Sequence, residues 1–318
     1  MSLKLPGQWV WDSWYAFDGE HHHAFYLQAS RALGDPDRRH RHTSVGHAIS
    51  TDLTNWRVLP DALAISDGEA FDSWTTWTGS VVQDEAGLWW MFYTGTSHQN
   101  QAGMVQAVGA ATSTDLVTWN KLGTQPLVSA DARWYETFGQ SAWNDEAWRD
   151  PFVFKLPSDD RWHMLITARA NHGSVDSRGV LGHATSTNLR DWQVQPPLSE
   201  PGQGFGQNEV FQYAVVDGVP VLLWCCGWRE YAPETLARIG KRNGVWSTVV
   251  AADLTKVDFT SSQLYPDTSL YAGRLVQDRD GGWNLLAFIN DAGGKYVGEI
   301  CDPIPVTADP VLGVIPKR

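Results

Sequence analysis

Apolar and polar positions alternate along this chain in short runs, and the runs recur. Stretches rich in apolar and aromatic residues occupy 23–28, 88–94, 162–167, 219–226 and 283–290. Most follow a polar turn, such as Asp84-Glu-Ala-Gly87, Asp217-Gly218 or Asp280-Gly-Gly282, and a further β-branched run precedes the turn, so each unit begins as a hairpin. Aligning Phe25, Phe92, Ile166, Trp224 and Phe288 gives steps of 67, 74, 58 and 64 residues, close to one fifth of the 318-residue chain. A second pattern supports the same period. Gly46-His-Ala-Ile-Ser-Thr-Asp-Leu-Thr-Asn-Trp56 recurs as Gly109-Ala-Ala-Thr-Ser-Thr-Asp-Leu-Val-Thr-Trp119 and Gly182-His-Ala-Thr-Ser-Thr-Asn-Leu-Arg-Asp-Trp192. Each copy reads as a strand, a turn whose short polar side chains bond nearby N–H groups, and a second strand opened by Trp. Helical periodicity is absent except for a turn or two near 234–241. Repeats of this length with room for four strands predict an all-β fold, a single five-bladed β-propeller spanning 1–318 with four antiparallel strands per blade.

Charge and composition narrow the partners. Lys plus Arg total 24 against 36 Asp plus Glu, for a net charge of -12, so the cationic footprint that nucleic acid or anionic lipid demands is missing. No apolar run approaches the roughly 20 residues of a spanning helix. Three cysteines, two adjacent in an apolar run, argue for buried thiols rather than a disulfide framework. With no h-region at the N-terminus as given, the expected location is cytoplasmic. The histidines around 21–23 and 40–47 match no zinc spacing, so neither metal nor cofactor is expected. The outlier is tryptophan, at 18 residues. Those at 56, 119 and 192 recur with the repeat and are assigned to packing, whereas Trp11, Trp14, Trp74, Trp77 and Trp148 do not recur and are candidates for sugar contacts.

Counting back from the five aligned positions places Asp12, Ser80, Asp150, Glu209 and Tyr271 near the starts of the five innermost strands. Three acids in matching places, with Trp11 and Trp14, Trp148 and Phe152, or Phe205 and Phe211 beside them, are expected to meet on the channel axis. Mutual repulsion and lost hydration would raise the pKa of at least one. Glycoside hydrolysis needs such a group: one carboxylate to attack or to activate water, and one carboxyl to protonate the leaving oxygen. Glu136 is a further acid, expected on a rim loop, and the basic run 35–42 is expected to lie over the channel mouth, with His42 or His98 reaching a sugar.

At these residues the chain resembles a known clan. Val10-Trp-Asp-Ser-Trp14 looks like the nucleophile segment of glycoside hydrolase family 68, the levansucrases, and more loosely that of family 32, the invertases and fructanases. Trp77-Thr-Gly-Ser80 is similar to their Trp-Ser-Gly-Ser motif, Arg149-Asp-Pro151 matches their Arg-Asp-Pro triplet, and Glu209 stands where their acid/base glutamate follows. The resemblance implies a five-bladed propeller, a retaining mechanism and a small β-fructofuranoside substrate, with fructosyl transfer as a second outcome. It implies Asp12 as nucleophile, Asp150 as stabiliser bonding the fructosyl hydroxyls, and Glu209 as acid and then base, kept protonated by burial. It further implies that Arg149 holds the stabiliser and the sugar, that Trp77 lines the fructosyl subsite, and that Gln207 and Arg229 reach the leaving group; Trp11, Ser80 and Tyr271 complete the expected contacts. The chain departs from the pattern at Thr78, which replaces serine, and a C-terminal β-sandwich is not expected within it. An inverting arabinofuranosidase or xylosidase and a non-catalytic carbohydrate-binding propeller remain alternatives at this point.

Overall fold

A computed structural model describes residues 3–100, 103–156 and 159–317. Twenty strands form five separate four-stranded antiparallel sheets, each built from consecutive strands. Blade one holds β1 (Gln8–Phe17), β2 (His22–Ser30), β3 (Ser44–Ser50) and β4 (Arg57–Leu63). Blade two holds β5 (Thr75–Gln83), β6 (Trp89–Thr96), β7 (Ala107–Ser113) and β8 (Asn120–Lys121). Blade three holds β9 (Trp148–Lys155), β10 (Trp162–Arg169), β11 (Gly179–Ser186) and β12 (Trp192–Gln195). Blade four holds β13 (Glu209–Val216), β14 (Val219–Cys226), β15 (Gly244–Val249) and β16 (Gln263–Leu264), with the short helix α1 (Pro233–Ile239) between β14 and β15. Blade five holds β17 (Leu270–Gln277), β18 (Trp283–Ile289), β19 (Ile304–Asp309) and β20 (Gly313–Pro316). The five aligned apolar stretches are the second strands of the five blades. The first strands β1, β5, β9, β13 and β17 contact one another in turn, and β1 meets β17, so they line a closed central channel. The ring is sealed where Val10 N donates to Gly298 O at 2.9 Å and Arg31 Nη2 donates to Val297 O at 2.8 Å.

The repeated turn is a device for reversing the chain between the third and fourth strands. Asp52, Asp115 and Asn188 each accept from backbone N–H groups two and three residues on, at 2.7 to 2.9 Å. The following Leu53, Leu116 and Leu189 sit at φ of 60°, 60° and 64°, a conformation few non-glycine residues adopt, and each is buried as a plug between strands. Asp253 and Leu254 (φ 52°) repeat the arrangement in blade four, a copy whose surrounding sequence has drifted too far to be recognised. The recurring tryptophans serve packing as expected: Trp119 meets Phe25 of the preceding blade edge-on at 5.6 Å, Trp192 meets Phe92 at 5.5 Å, and Trp56 meets Tyr15 within its own blade at 6.2 Å. Cys225, Cys226 and Cys301 are buried and free.

Blades one and three carry the same buried relay behind their first hairpin. Asp18 Oδ2 lies 3.1 Å from His23 Nε2, whose Nδ1 is 2.9 Å from His47 Nε2. Asp159 Oδ2 lies 3.3 Å from His163 Nε2, whose Nδ1 is 3.1 Å from His183 Nε2. Burial, reinforced by the neighbouring imidazole, pushes His47 and His183 down to about 3, so both are neutral in the folded protein. A depressed histidine favours folding fully above its unfolded value of about 6.5, and that contribution is lost as pH falls toward 3, because the unfolded chain takes up protons first. The melting temperature is therefore expected to drop on acidification through this window, by an amount on the order of a few kcal/mol in stability. In the double variant His47→Gln/His183→Gln the slope should flatten; an unchanged slope relative to wild type would refute the assignment.

Candidate active site

The inner strands do not run straight into the channel mouth. Each is interrupted by a bulge: at Trp11-Asp12 in β1, Thr78 in β5, Asp150-Pro151 in β9, Val210-Phe211 in β13 and Ala272-Gly273 in β17. Asp150, Val210 and Ala272 take φ of 58°, 57° and 48°, which turns the backbone so that consecutive side chains project toward the axis instead of alternating. Trp11 with Asp12, Trp77 with Thr78, Arg149 with Asp150, and Glu209 with Val210 thus line one cavity of about 420 Å³, joined by Tyr271. That size suits a small ligand.

The acids converge as expected, but not in one register. Glu209 precedes its bulge, as do Arg149 and Tyr271, whereas Asp150 is the first residue within its own. The blade-two residue inside the bulge is Thr78, so Ser80 is corrected out of the site. It lies two residues beyond the bulge, pairs with Phe92, and its Oγ accepts from Val153 N at 3.0 Å. Gln207 is also corrected: it is buried, is not among the cavity-lining residues, and its carbonyl faces the Cys226 thiol at 3.0 Å. Arg229 does line the cavity, at the exposed rim. Of the non-recurring tryptophans only Trp11 and Trp77 reach the cavity. Trp148 is packed against Tyr135, Trp14 lies deeper along β1, and Trp74 stacks with His98 and lies near the Arg41 guanidinium. Phe205 and Phe211 belong to the blade-four core.

A dense polar network holds the acids. Thr78 Oγ1 donates to Asp12 Oδ2, Thr167 Oγ1 donates to Asp150 Oδ2 at 2.8 Å, and Tyr271 OH donates to Glu209 Oε2 at 2.7 Å. Arg149 ties the cluster together: Nη2 pairs with Glu209 Oε1, Nε lies 3.5 Å from Asp150 Oδ2, and Nη1 donates to Gln106 Oε1 at 3.1 Å. Gln106 in turn donates to Asp145 Oδ2 at 2.6 Å. Burial raises Asp12, opposed by the Thr78 hydroxyl and reinforced by Glu209. Burial also raises Asp150 to about 7, with Arg149 opposing and Asp12 adding to the rise.

Several lining residues escaped sequence reasoning because they come from loops. Residues 36–41 form a 3₁₀ turn over the mouth, as the basic run suggested, but His40 and Arg39 line the cavity while His42 turns back to the Arg38 carbonyl. Burial lowers His40 to about 3, and its carbonyl accepts from Trp77 Nε1 at 2.8 Å, which fixes the indole. Glu230 stands on the opposite rim beside Arg229, raised to about 7 by burial and by Glu209. Only its place next to Arg229 could have flagged it. Glu136 is neither a substrate acid nor a rim residue; it is buried between Arg169 and Arg178, each at 2.7 Å.

Comparison with known proteins bears on what such a cavity serves. The family model described as "Glycosyl hydrolases family 32 N-terminal domain" matches residues 13–295, beginning one residue past Asp12. The raffinose invertase of Escherichia coli is 26% identical over 249 residues, covering 76% of this chain and 44% of that enzyme. An insoluble β-fructofuranosidase isoenzyme of Arabidopsis thaliana is 28% identical over 166 residues, 51% of this chain and 26% of its own. The chain thus aligns with less than half the length of these curated relatives. Among solved structures, the kestose-bound inulosucrase of Halalkalicoccus jeotgali superposes with a TM-score of 0.78 at 21% identity, covering 98% of this chain and 88% of that one. The Bombyx mori GH32 β-fructofuranosidase superposes with a TM-score of 0.73 at 18% identity, covering 97% and 62%. At these identities the superpositions speak for the fold.

Proposed function

Because the chain belongs to the glycosyl hydrolase family 32 N-terminal domain family, we propose that it is a retaining glycoside hydrolase of small β-fructofuranosides. The observation that carries this reading is the convergence of Asp12, Asp150 and Glu209 on one cavity from three blades. Ionised Asp12 attacks the anomeric carbon while the carboxyl of Glu209 delivers its proton to the departing oxygen; the C–O bond to the leaving group breaks as the ester to Asp12 forms. Glu209 then takes a proton from water, the water oxygen attacks the anomeric carbon, and Asp12 leaves as a carboxylate. Where a sugar hydroxyl replaces water, the same step transfers the fructosyl group. Asp150, anchored by Thr167 and neighboured by Arg149, accepts hydrogen bonds from ring hydroxyls and offsets the positive charge developing on the ring. Trp11 and Trp77 offer apolar faces to the furanose, and Arg229 with Glu230 lies where the leaving group exits.

The names of the relatives support the substrate class: an invertase and a β-fructofuranosidase in sequence, and an enzyme bound to kestose in structure. The decisive experiment incubates the protein with sucrose, β-2,1- and β-2,6-linked fructo-oligosaccharides, and aryl arabinofuranoside and xyloside, following released monosaccharide and its anomer by NMR. Fructose released as the β anomer is expected. Release only from the aryl glycosides, or fructose first appearing as the α anomer, would overturn the reading.

A further inference from the structure

One to three residues past the bulges, the channel holds a second cavity of about 50 Å³. All five inner strands line it, through Trp14 and Tyr15 of β1, Ser80 of β5, Phe152 of β9, Gln212 of β13 and Arg274 of β17. Its polar groups are overwhelmingly donors. Arg274 is buried and engages only Nη1, which donates to Val210 O at 3.1 Å and Phe211 O at 2.7 Å; Nε and Nη2 have no hydrogen-bond partner among the described residues. Trp14 Nε1 is buried and unpartnered in the same way. Ser80 Oγ accepts from Val153 N, which leaves its own O–H to donate. The side-chain amide in the lining is committed to Leu275: Gln212 Oε1 accepts from Leu275 N at 2.7 Å and Nε2 donates to Leu275 O at 2.9 Å. Among the described residues no carboxylate lines this cavity. Tyr15 OH is shared with Ser13 Oγ at 2.9 Å.

A buried guanidinium with unanswered N–H groups is costly, and the surrounding donors cannot relieve it. Water is a poorer match, because it must donate as well as accept, and the side-chain oxygens of the lining, on Tyr15, Ser80 and Gln212, each already take part in a hydrogen bond. A small anion accepts from every side and adds to the charge compensation that Asp12 and Asp150 give Arg274 from the site above. We propose that this cavity is a site for a monatomic halide, chloride under ordinary conditions, held by the buried donors of Arg274 and Trp14. At about 50 Å³, against about 420 Å³ for the site above it, the cavity favours a small anion over an organic acid. Through Arg274 the ion also secures the Val210 and Phe211 carbonyls, and with them the bulge that presents Glu209. The inference does not depend on the substrate assigned above.

The test is scattering and melting. Wild-type crystals grown with gluconate as the anion and transferred to bromide should show an anomalous peak within hydrogen-bonding distance of Arg274 and Trp14. In solution the melting temperature should rise saturably with chloride or bromide against gluconate at equal ionic strength. Trp14→Phe removes one donor to a charged acceptor, so the halide midpoint should weaken by roughly tenfold or more. A cavity with no anomalous peak, equal melting in halide and gluconate, or an unaltered halide response in Trp14→Phe would overturn the proposal. The scattering measurement uses wild type alone and stands even if the variant fails to fold.

Discussion

Asp12→Asn is expected to lower kcat on sucrose by about 10⁴-fold or more, the scale on which enzymes lose rate when a covalent nucleophile is removed. The substitution keeps the shape of the side chain and an oxygen for the Thr78 hydroxyl, but an amide cannot form the glycosyl ester. KM should change far less than kcat, since the cavity walls of Trp11, Trp77 and Arg149 are untouched. Stability should move in the opposite direction. Burial raises Asp12 in the folded protein, so its ionised form opposes folding, and the penalty grows as pH rises from the unfolded carboxylate value through the folded one. At neutral pH the Asn variant should therefore melt at or above the wild-type temperature. Turnover within tenfold of wild type would remove Asp12 from the nucleophile's role, and a well-folded, inactive variant separates that role from a structural one.

Glu209→Gln carries the second large effect, about 10³-fold in kcat/KM for sucrose, within the usual range for a positioned acid/base. Its diagnostic is dependence on the leaving group. A fructosyl donor whose leaving group departs without a proton, such as the fluoride, bypasses the first need for Glu209, so the rate of fluoride release should fall much less than the rate on sucrose. An equal loss on both substrates would mean that Glu209 acts through position and charge, by way of its contacts with Arg149 and Tyr271, and not by proton transfer. Loss of the fold is a lesser concern here than at Arg149, because glutamine keeps its one oxygen for Arg149, its amide NH2 can donate to the tyrosine oxygen, and Arg149 keeps Asp150 and Gln106 as neighbours.

Composition and period alone carried the architecture a long way. The strand-turn-strand repeat at 46–56, 109–119 and 182–192 is readable because its turn chemistry is local: an Asp or Asn side chain answers N–H groups two and three residues away, and a leucine follows. Local bonding of that sort leaves its mark in consecutive letters. The packing role of Trp119 and Trp192 is legible for the same reason, since a residue that recurs in three blades serves what those blades share.

Which side chains face the substrate is decided at another level. In a pleated strand one inserted residue reverses the facing of every residue after it, so counting from a distant anchor fails wherever a bulge intervenes. The count from Phe92 ends on its direct partner Ser80, short of the bulge that turns Thr78 inward, and it matches Glu209 with Asp150 although they stand on either side of a bulge boundary. Loop residues such as His40, Gln106 and Glu230 are harder still, because the ring closure that brings them together is set by blade packing. The amino-acid order by itself determined the repeat, the blade count and the acids available for chemistry, since short-range periodicity and turn bonding encode them. Only the tertiary structure decided the facing of those acids, their cations and the loops above them, because bulges and ring closure bring into contact residues that lie far apart along the chain.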